Sequence, residues 1–177
     1  MVIFFAAALV FRLAMLAVSI RHEKALKREG AVEIGAGNSK FLALTHTAFY
    51  FAALAEGLYR KPPFDQISLA GSVLYGFGIL ALLIVVRLLG RLWTVKLLLA
   101  RDHELVVHPL FRAVRHPNYY LNLLPELLGF ALIFHAYITL VVGLALYAIP
   151  LSTRIRQEEA AMSERFASYK PDRPATQ

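Results

Sequence analysis

The chain has no cysteine among its 177 residues. A disulfide framework, a thiol nucleophile and cysteine-ligated zinc are therefore excluded. The six histidines show no metal-ligand spacing. His103 and His108 stand five apart, with no His-Glu-x-x-His pattern, and no metal is expected. A dinucleotide-binding glycine fingerprint and a serine-centred nucleophile elbow are both missing. Residues 30–39 invite a phosphate-loop reading, but Ala36 follows Gly35 where a lysine would stand, and no strand is expected before it. Internal repeats and low-complexity tracts are absent, and only the end after Lys170 reads as a loose tail. One domain over 1–177 is expected. Charge is also scarce, at 18% of residues, and unbalanced: 19 basic against 12 acidic, a formal +7. The basic residues lie between apolar blocks, so they are expected to face anionic lipid headgroups, with no nucleic-acid partner.

What is abundant is hydrocarbon. Hydrophobic residues make up 58% of the chain and mean hydropathy is +0.56, too apolar for an ordinary soluble domain. The fold class expected is an all-α polytopic membrane protein of about five transmembrane helices, at 2–20, 41–59, 66–89, 119–134 and 137–153. The last two fall short of the roughly 20 residues a full span needs. His135-Ala136-Tyr137 is the turn between them, and a four-span alternative makes 119–153 a re-entrant unit. Gly71, Gly76 and Gly78 are placed to let the third span pack closely. Basic residues alternate heavy, light, heavy, none, heavy across the loops and tail, which predicts that loops one and three and the C-terminus are cytosolic. The first span reads as an anchor rather than a cleavable signal, because its basic cluster follows the apolar core. An integral protein of a bacterial cytoplasmic membrane is the expectation.

Two polar clusters flank the final hairpin. Arg115-His116-Pro117-Asn118-Tyr119 enters it, and Arg154 to Glu159 follows it. A helical segment rises 1.5 Å per residue, so the intervening chain can cross a bilayer and return. Both clusters should meet at one face, with residues 1–90 as membrane anchor and 91–170 as the functional half. Tyr119, Asn122 and Glu126 fall at i, i+3 and i+7, on one helical face. Pro125 should open the backbone ladder beside them. A carboxylate within an apolar span is a site hypothesis by default; its structural alternative is an ion pair to an arginine such as Arg87. Arg154 with Glu158 and Arg156 with Glu159 are spaced for ion pairs on a continuing helix. An arginine there can also orient an anionic substrate, and an acid can accept hydrogen bonds from a ribose or amine. His116, fixed beside Pro117 at a helix start, is read as a hydrogen-bonding site residue. His46 and Glu56 are expected to pack against neighbouring helices.

Three stretches together resemble a known family: Leu89-Gly90-Arg91-Leu92-Trp93-Thr94, His103-Glu104-Leu105-Val106, and Phe111-Arg112-Ala113-Val114-Arg115-His116-Pro117-Asn118-Tyr119. The tail Arg154 to Glu159, followed by Phe166 and Tyr169, resembles that family's closing signature. The family is the isoprenylcysteine carboxyl methyltransferases, and the likeness covers about residues 89–170. It is closest to a small bacterial branch associated with methylating alkylpyrone-type polyketide lipids. The resemblance implies S-adenosylmethionine as cofactor, S-adenosylhomocysteine as product, and a lipophilic acceptor arriving from the membrane lipids. Carried over by position, His116, Pro117 and Tyr119 match the cofactor-contact motif, Glu158 and Glu159 the acidic pair, and Arg154 a substrate-orienting arginine. The family commonly has glycine two residues after the motif tyrosine, where this chain has Leu121 followed by Asn122, so Asn122 is expected to add a side-chain contact to the cofactor, with Glu126 beside it.

The reading is an O-methyltransferase in which Arg154 holds an anionic acceptor, Glu158 and His116 fix the cofactor, and spans one to three supply an apolar groove. Two other classes use the same features differently. A membrane reductase would place a nicotinamide cofactor in that pocket. A non-enzymatic subunit would keep Glu126 and the Arg154–Glu159 cluster as structural ion pairs.

Overall fold

A computed structural model of the chain describes residues 1–101, 106 and 108–166. His103, Glu104, Leu105 and the tail from 167, with Tyr169, lie outside the described residues.

In chain order the elements are α1 (Val2–Arg28), β1 (Val32–Ile34), α2 (Ala36–Arg60), α3 (Gln66–Leu89), a 3₁₀ turn (Gly90–Leu92), β2 (Leu97–Leu99), α4 (Pro109–Ala113), a π-helical stretch (Asn118–Leu123), α5 (Leu124–Ile133) and α6 (Tyr137–Arg165). Among the described residues four helices are long and apolar enough to cross a membrane: α1, α2, α3 with its 3₁₀ extension, and α6. The protein is an all-α polytopic membrane protein. The expected fourth span is corrected. The π-helical stretch and α5 together cover only 118–133, and α5 alone has 10 residues, short of a full crossing. Its partner α6 is much longer than expected, with 29 residues and about 43 Å at 1.5 Å per residue. Its last turns therefore stand beyond the apolar layer.

Helices also overrun their apolar blocks elsewhere. α1 continues to Arg28, where Lys27 is held by Glu23 and Glu33, both at 2.7 Å. Two short strands form where none was expected. β1 pairs antiparallel with β2, Val32 opposite Leu99 and Ile34 opposite Leu97, and Lys96 reaches Glu23 at 2.6 Å. This ribbon ties the first loop to the third.

The tightest packing is α3 against α5. A Cβ on Gly71 would sit 2.8 Å from the Gly129 carbonyl, and one on Gly129 would sit 2.4 Å from the Tyr75 nitrogen. A Cβ on Gly78 would sit 3.0 Å from both the Asn122 carbonyl and the Glu126 nitrogen. Gly71 and Gly78 thus do what was expected of them, Gly129 joins them, and Gly76 faces open space. Backbones this close exclude any side chain between them. On the other flank α2 packs on α6, with Phe49 over Gly143.

His135, Ala136 and the start of α6 form the sharp return. His135 has φ +51°. Glu56 caps α6, accepting from the nitrogens of Ile138 and Thr139 at 3.1 and 2.8 Å. At this end of the bundle His135 also meets Ser68 and Asp65 at 3.0 and 3.1 Å. The opposite end gathers the ribbon, the ends of α1 and α3, the start of α2 and the overhang of α6.

Candidate active site

α6 returns the chain to where the last hairpin began. Tyr119, on the π-helical stretch, donates its hydroxyl hydrogen to Glu158 on α6 at 2.6 Å. His116 stands between the acidic pair, its Nδ1 3.5 Å from Glu158 and its Nε2 3.3 Å from Glu159. Its ring stacks on that of Tyr119 with centroids 5.7 Å apart. The two polar clusters sit on one side of the bundle and touch.

Arg154 continues the chain of contacts. Its Nε donates to the Tyr119 hydroxyl at 3.3 Å, Nη1 to Ser39 at 2.8 Å and Nη2 to the Val95 carbonyl at 3.0 Å. The residue is only 4% exposed. One guanidinium thereby joins α2, the third loop, the π-helical stretch and α6. The expected ion pairs of Arg154 with Glu158 and of Arg156 with Glu159 do not form among the described residues. Their acids turn instead to Tyr119 and His116, which approach from the facing segment with donors already positioned. Pro150 lies in the interior of α6, and its carbonyl accepts from Asn38 at 2.9 Å.

Burial by itself would lower the His116 pKa, but hydrogen bonding and charge from Glu158, then Glu159, outweigh it and raise it above the ordinary histidine value. His116 therefore tends to carry a proton between two carboxylates.

These groups line a cavity of about 540 Å³, within the usual size of ligand pockets. His116, Pro117, Tyr119, Arg154 and Glu158 are on its wall; Glu159 acts on it through His116. The apolar part comes from the end of α3, the β2 strand, Trp93 and Phe111. That corrects the expected groove from spans one to three, since α1 and α2 contribute nothing to the lining. Sequence reasoning missed Trp93 and the β2 leucines as wall residues. Trp93 fell within the family-like stretch, but its place on the wall depends on the ribbon.

Asn122 and Glu126 are not on this wall, which corrects their expected role as cofactor contacts. The π-helical stretch is the physical reason: its wider turn removes the 3.6-residue periodicity that would put Tyr119, Asn122 and Glu126 on one face. It ends just before Pro125, which has no N–H to give. Tyr119 points to α6, whereas Glu126, with 0% exposure, is ion-paired to Arg12 of α1 and accepts from Tyr50 of α2. His46 lies 3.6 Å away. The partner is Arg12 rather than Arg87, which is exposed. Turned with its nitrogen inward, the Asn122 amide donates to Gly78 O and Glu126 Oε2, both 3.1 Å away.

The model of the isoprenylcysteine carboxyl methyltransferase (ICMT) family matches residues 72–164, from within α3 to the end of α6. An uncharacterised protein of Haemophilus influenzae is 44% identical over 162 residues, covering 92% of this chain and 94% of that protein. The uncharacterised protein YpbQ of Bacillus subtilis is 30% identical over 165 residues, covering 88% and 92%. No solved structure matches the chain. With more than half its length matched and the motif residues gathered around one cavity, the chain belongs to the isoprenylcysteine carboxyl methyltransferase family, a family of membrane-bound methyltransferases.

Proposed function

We propose that the protein is an S-adenosylmethionine-dependent O-methyltransferase. Its acceptor is a lipophilic molecule with an acidic oxygen, of the isoprenylcysteine-carboxylate or alkylpyrone-type polyketide class, reached from the bilayer. The observation that carries this reading is the closure of one cavity by Tyr119, His116 and the Glu158–Glu159 pair.

The residues present fit the cofactor. Its cationic end needs a carboxylate, and Glu158 is in the wall. Its base needs apolar surface, which the β2 leucines and Pro117 offer. Trp93 keeps a buried indole N–H with no hydrogen-bond partner among the described residues. When bound, S-adenosylmethionine supplies a methyl group on a positively charged sulfur. His116, Pro117, Tyr119, Glu158 and Glu159 hold that side of the cavity. Arg154 uses three of its five N–H donors on the protein, so two remain to orient an anionic acceptor oxygen. Such an oxygen needs no base to remove a proton. The chain then acts mainly by positioning, which is worth on the order of 7–11 kcal/mol in well-aligned systems. The basic loops surround this end of the bundle, so the positive-inside rule puts the site in the cytosol.

Purified protein incubated with methyl-labelled donor and a panel of lipids bearing acidic oxygens should yield a labelled lipid, read by mass spectrometry. S-adenosylhomocysteine should bind and NADPH should not. Tight binding of NADPH alone would overturn the transferase reading.

A further inference from the structure

A second hollow adjoins the site. It measures about 170 Å³ and is lined by Phe77, Leu80, Ile84, Val85, Leu110 and Leu121, with an alanine between them. Every one of these side chains is hydrocarbon. It lies along α3 and opens outward, where Phe77, Leu80 and Ile84 are 48%, 58% and 44% exposed. From Val85 back to Phe77 it runs about 12 Å along the helix axis, at 1.5 Å per residue, away from the polar end and into the apolar layer.

Val85 lines both this hollow and the site cavity. It is 0% exposed and packs with Leu82, Met15 and Trp93. Its isopropyl group is therefore the partition between a polar-ended chamber and a membrane-facing groove. The groove has less than a third of the chamber's volume, 170 against 540 Å³. That suits a stretch of one hydrocarbon chain rather than a two-chain lipid.

We propose that Val85 is a specificity-determining residue. The acceptor's head group occupies the site cavity, its single hydrocarbon chain passes Val85 into the groove between α3 and Leu121, and the bulk at position 85 sets which chain lengths are accepted. This rests on the transferase reading in that it takes the acceptor to be an amphiphile with an acidic head. The occupant is argued from three features: the wall at Val85 that the two hollows share, the wholly apolar lining of the outer one among the described residues, and its course along a lipid-facing helix.

Trp93 is the only tryptophan of the chain and touches the Val85 cluster, so its fluorescence reports on the partition directly. The probes are short-, medium- and long-chain fatty acids brominated at the chain end, added to protein in nanodiscs without methyl donor. Bromine quenches indole emission on contact. Quenching of wild-type protein should peak at one intermediate length, where the chain end lies beside Val85. Val85→Phe should weaken binding of the long acids at least tenfold and leave the short ones unchanged, whereas Val85→Ala should admit longer chains. Leu121→Phe narrows the groove from its partly exposed side and should give the same long-chain loss if Val85→Phe does not fold. Length-blind quenching, expected if bilayer lipid alone fills the groove, overturns the proposal, as does equal loss for all lengths. Length-selective binding with no methyl transfer to any lipid would instead overturn the transferase reading alone.

Discussion

Tyr119 is the residue through which the site holds together. Its hydroxyl donates to Glu158 and accepts from Arg154, so one oxygen connects a buried cation to a carboxylate that neither the i, i+4 spacing nor a salt bridge joins directly. Hydrogen bonds to charged groups contribute about 1.5–3 kcal/mol each. Tyr119→Phe should therefore keep the fold and weaken S-adenosylhomocysteine binding by roughly tenfold or more, measured by calorimetry. Unchanged affinity would remove the hydroxyl from the cofactor side. His116 gives a pH test. Its pKa is raised above the ordinary value by the acidic pair. The contact with Glu158 and Glu159 is fully present below that ordinary value and is lost as pH rises through the raised one. Cofactor affinity should fall over that window in wild type and be flat there in His116→Gln. A wild-type profile that is equally flat would show that the imidazolium does not matter.

Among elements, α3 and α5 depend on having nothing between them. A methyl group on Gly129 would meet the Tyr75 nitrogen and the Gly71 carbonyl, both backbone atoms, which cannot swing aside as side chains do. Overpacking of this kind costs about 1–3 kcal/mol or more. Gly129→Ala should lower the melting temperature in detergent, while Gly76→Ala, with no atom within 4 Å, should not. A destabilised site follows as well, because the π-helical stretch that carries Tyr119 packs on α3 beside Gly78.

For the whole molecule, the Arg12–Glu126 pair fastens α1 to the bundle centre, with Tyr50 from α2 completing the carboxylate's contacts. Removing one partner leaves a buried charge, a loss of about 3–5 kcal/mol, whereas replacing both by apolar residues is often close to neutral. Arg12→Leu alone should destabilise the protein strongly, and Arg12→Leu with Glu126→Leu should recover most of the loss in thermal unfolding. If the double variant also lost methyl transfer while remaining folded, the pair would have a role in the site that its absence from the cavity wall does not predict.

How much of this could be read from the chain follows from which interactions are local. Apolar blocks, basic loops and the two motif clusters are properties of contiguous residues, and they determined a helical membrane protein whose polar clusters lie at one end. The glycines on α3 were legible for the same reason, except Gly76, whose direction depends on the neighbour. Other features depend on segments far apart in sequence. The π-helical register turned Asn122 and Glu126 away from the cavity. Arg12 won Glu126 over Arg87 because Arg87 is exposed and lies nine residues along α3 from Gly78, where that helix meets Glu126. The β1–β2 ribbon brought Leu97–Leu99 and Trp93 to the wall, and Arg154 exchanged its nearby acid for Tyr119, Ser39 and Val95. Sequence by itself decided what could enter the membrane, because transfer of a side chain from water depends on its own chemistry. Only the tertiary structure decided which buried polar group met which, because each has several partners of suitable type and proximity alone selects among them.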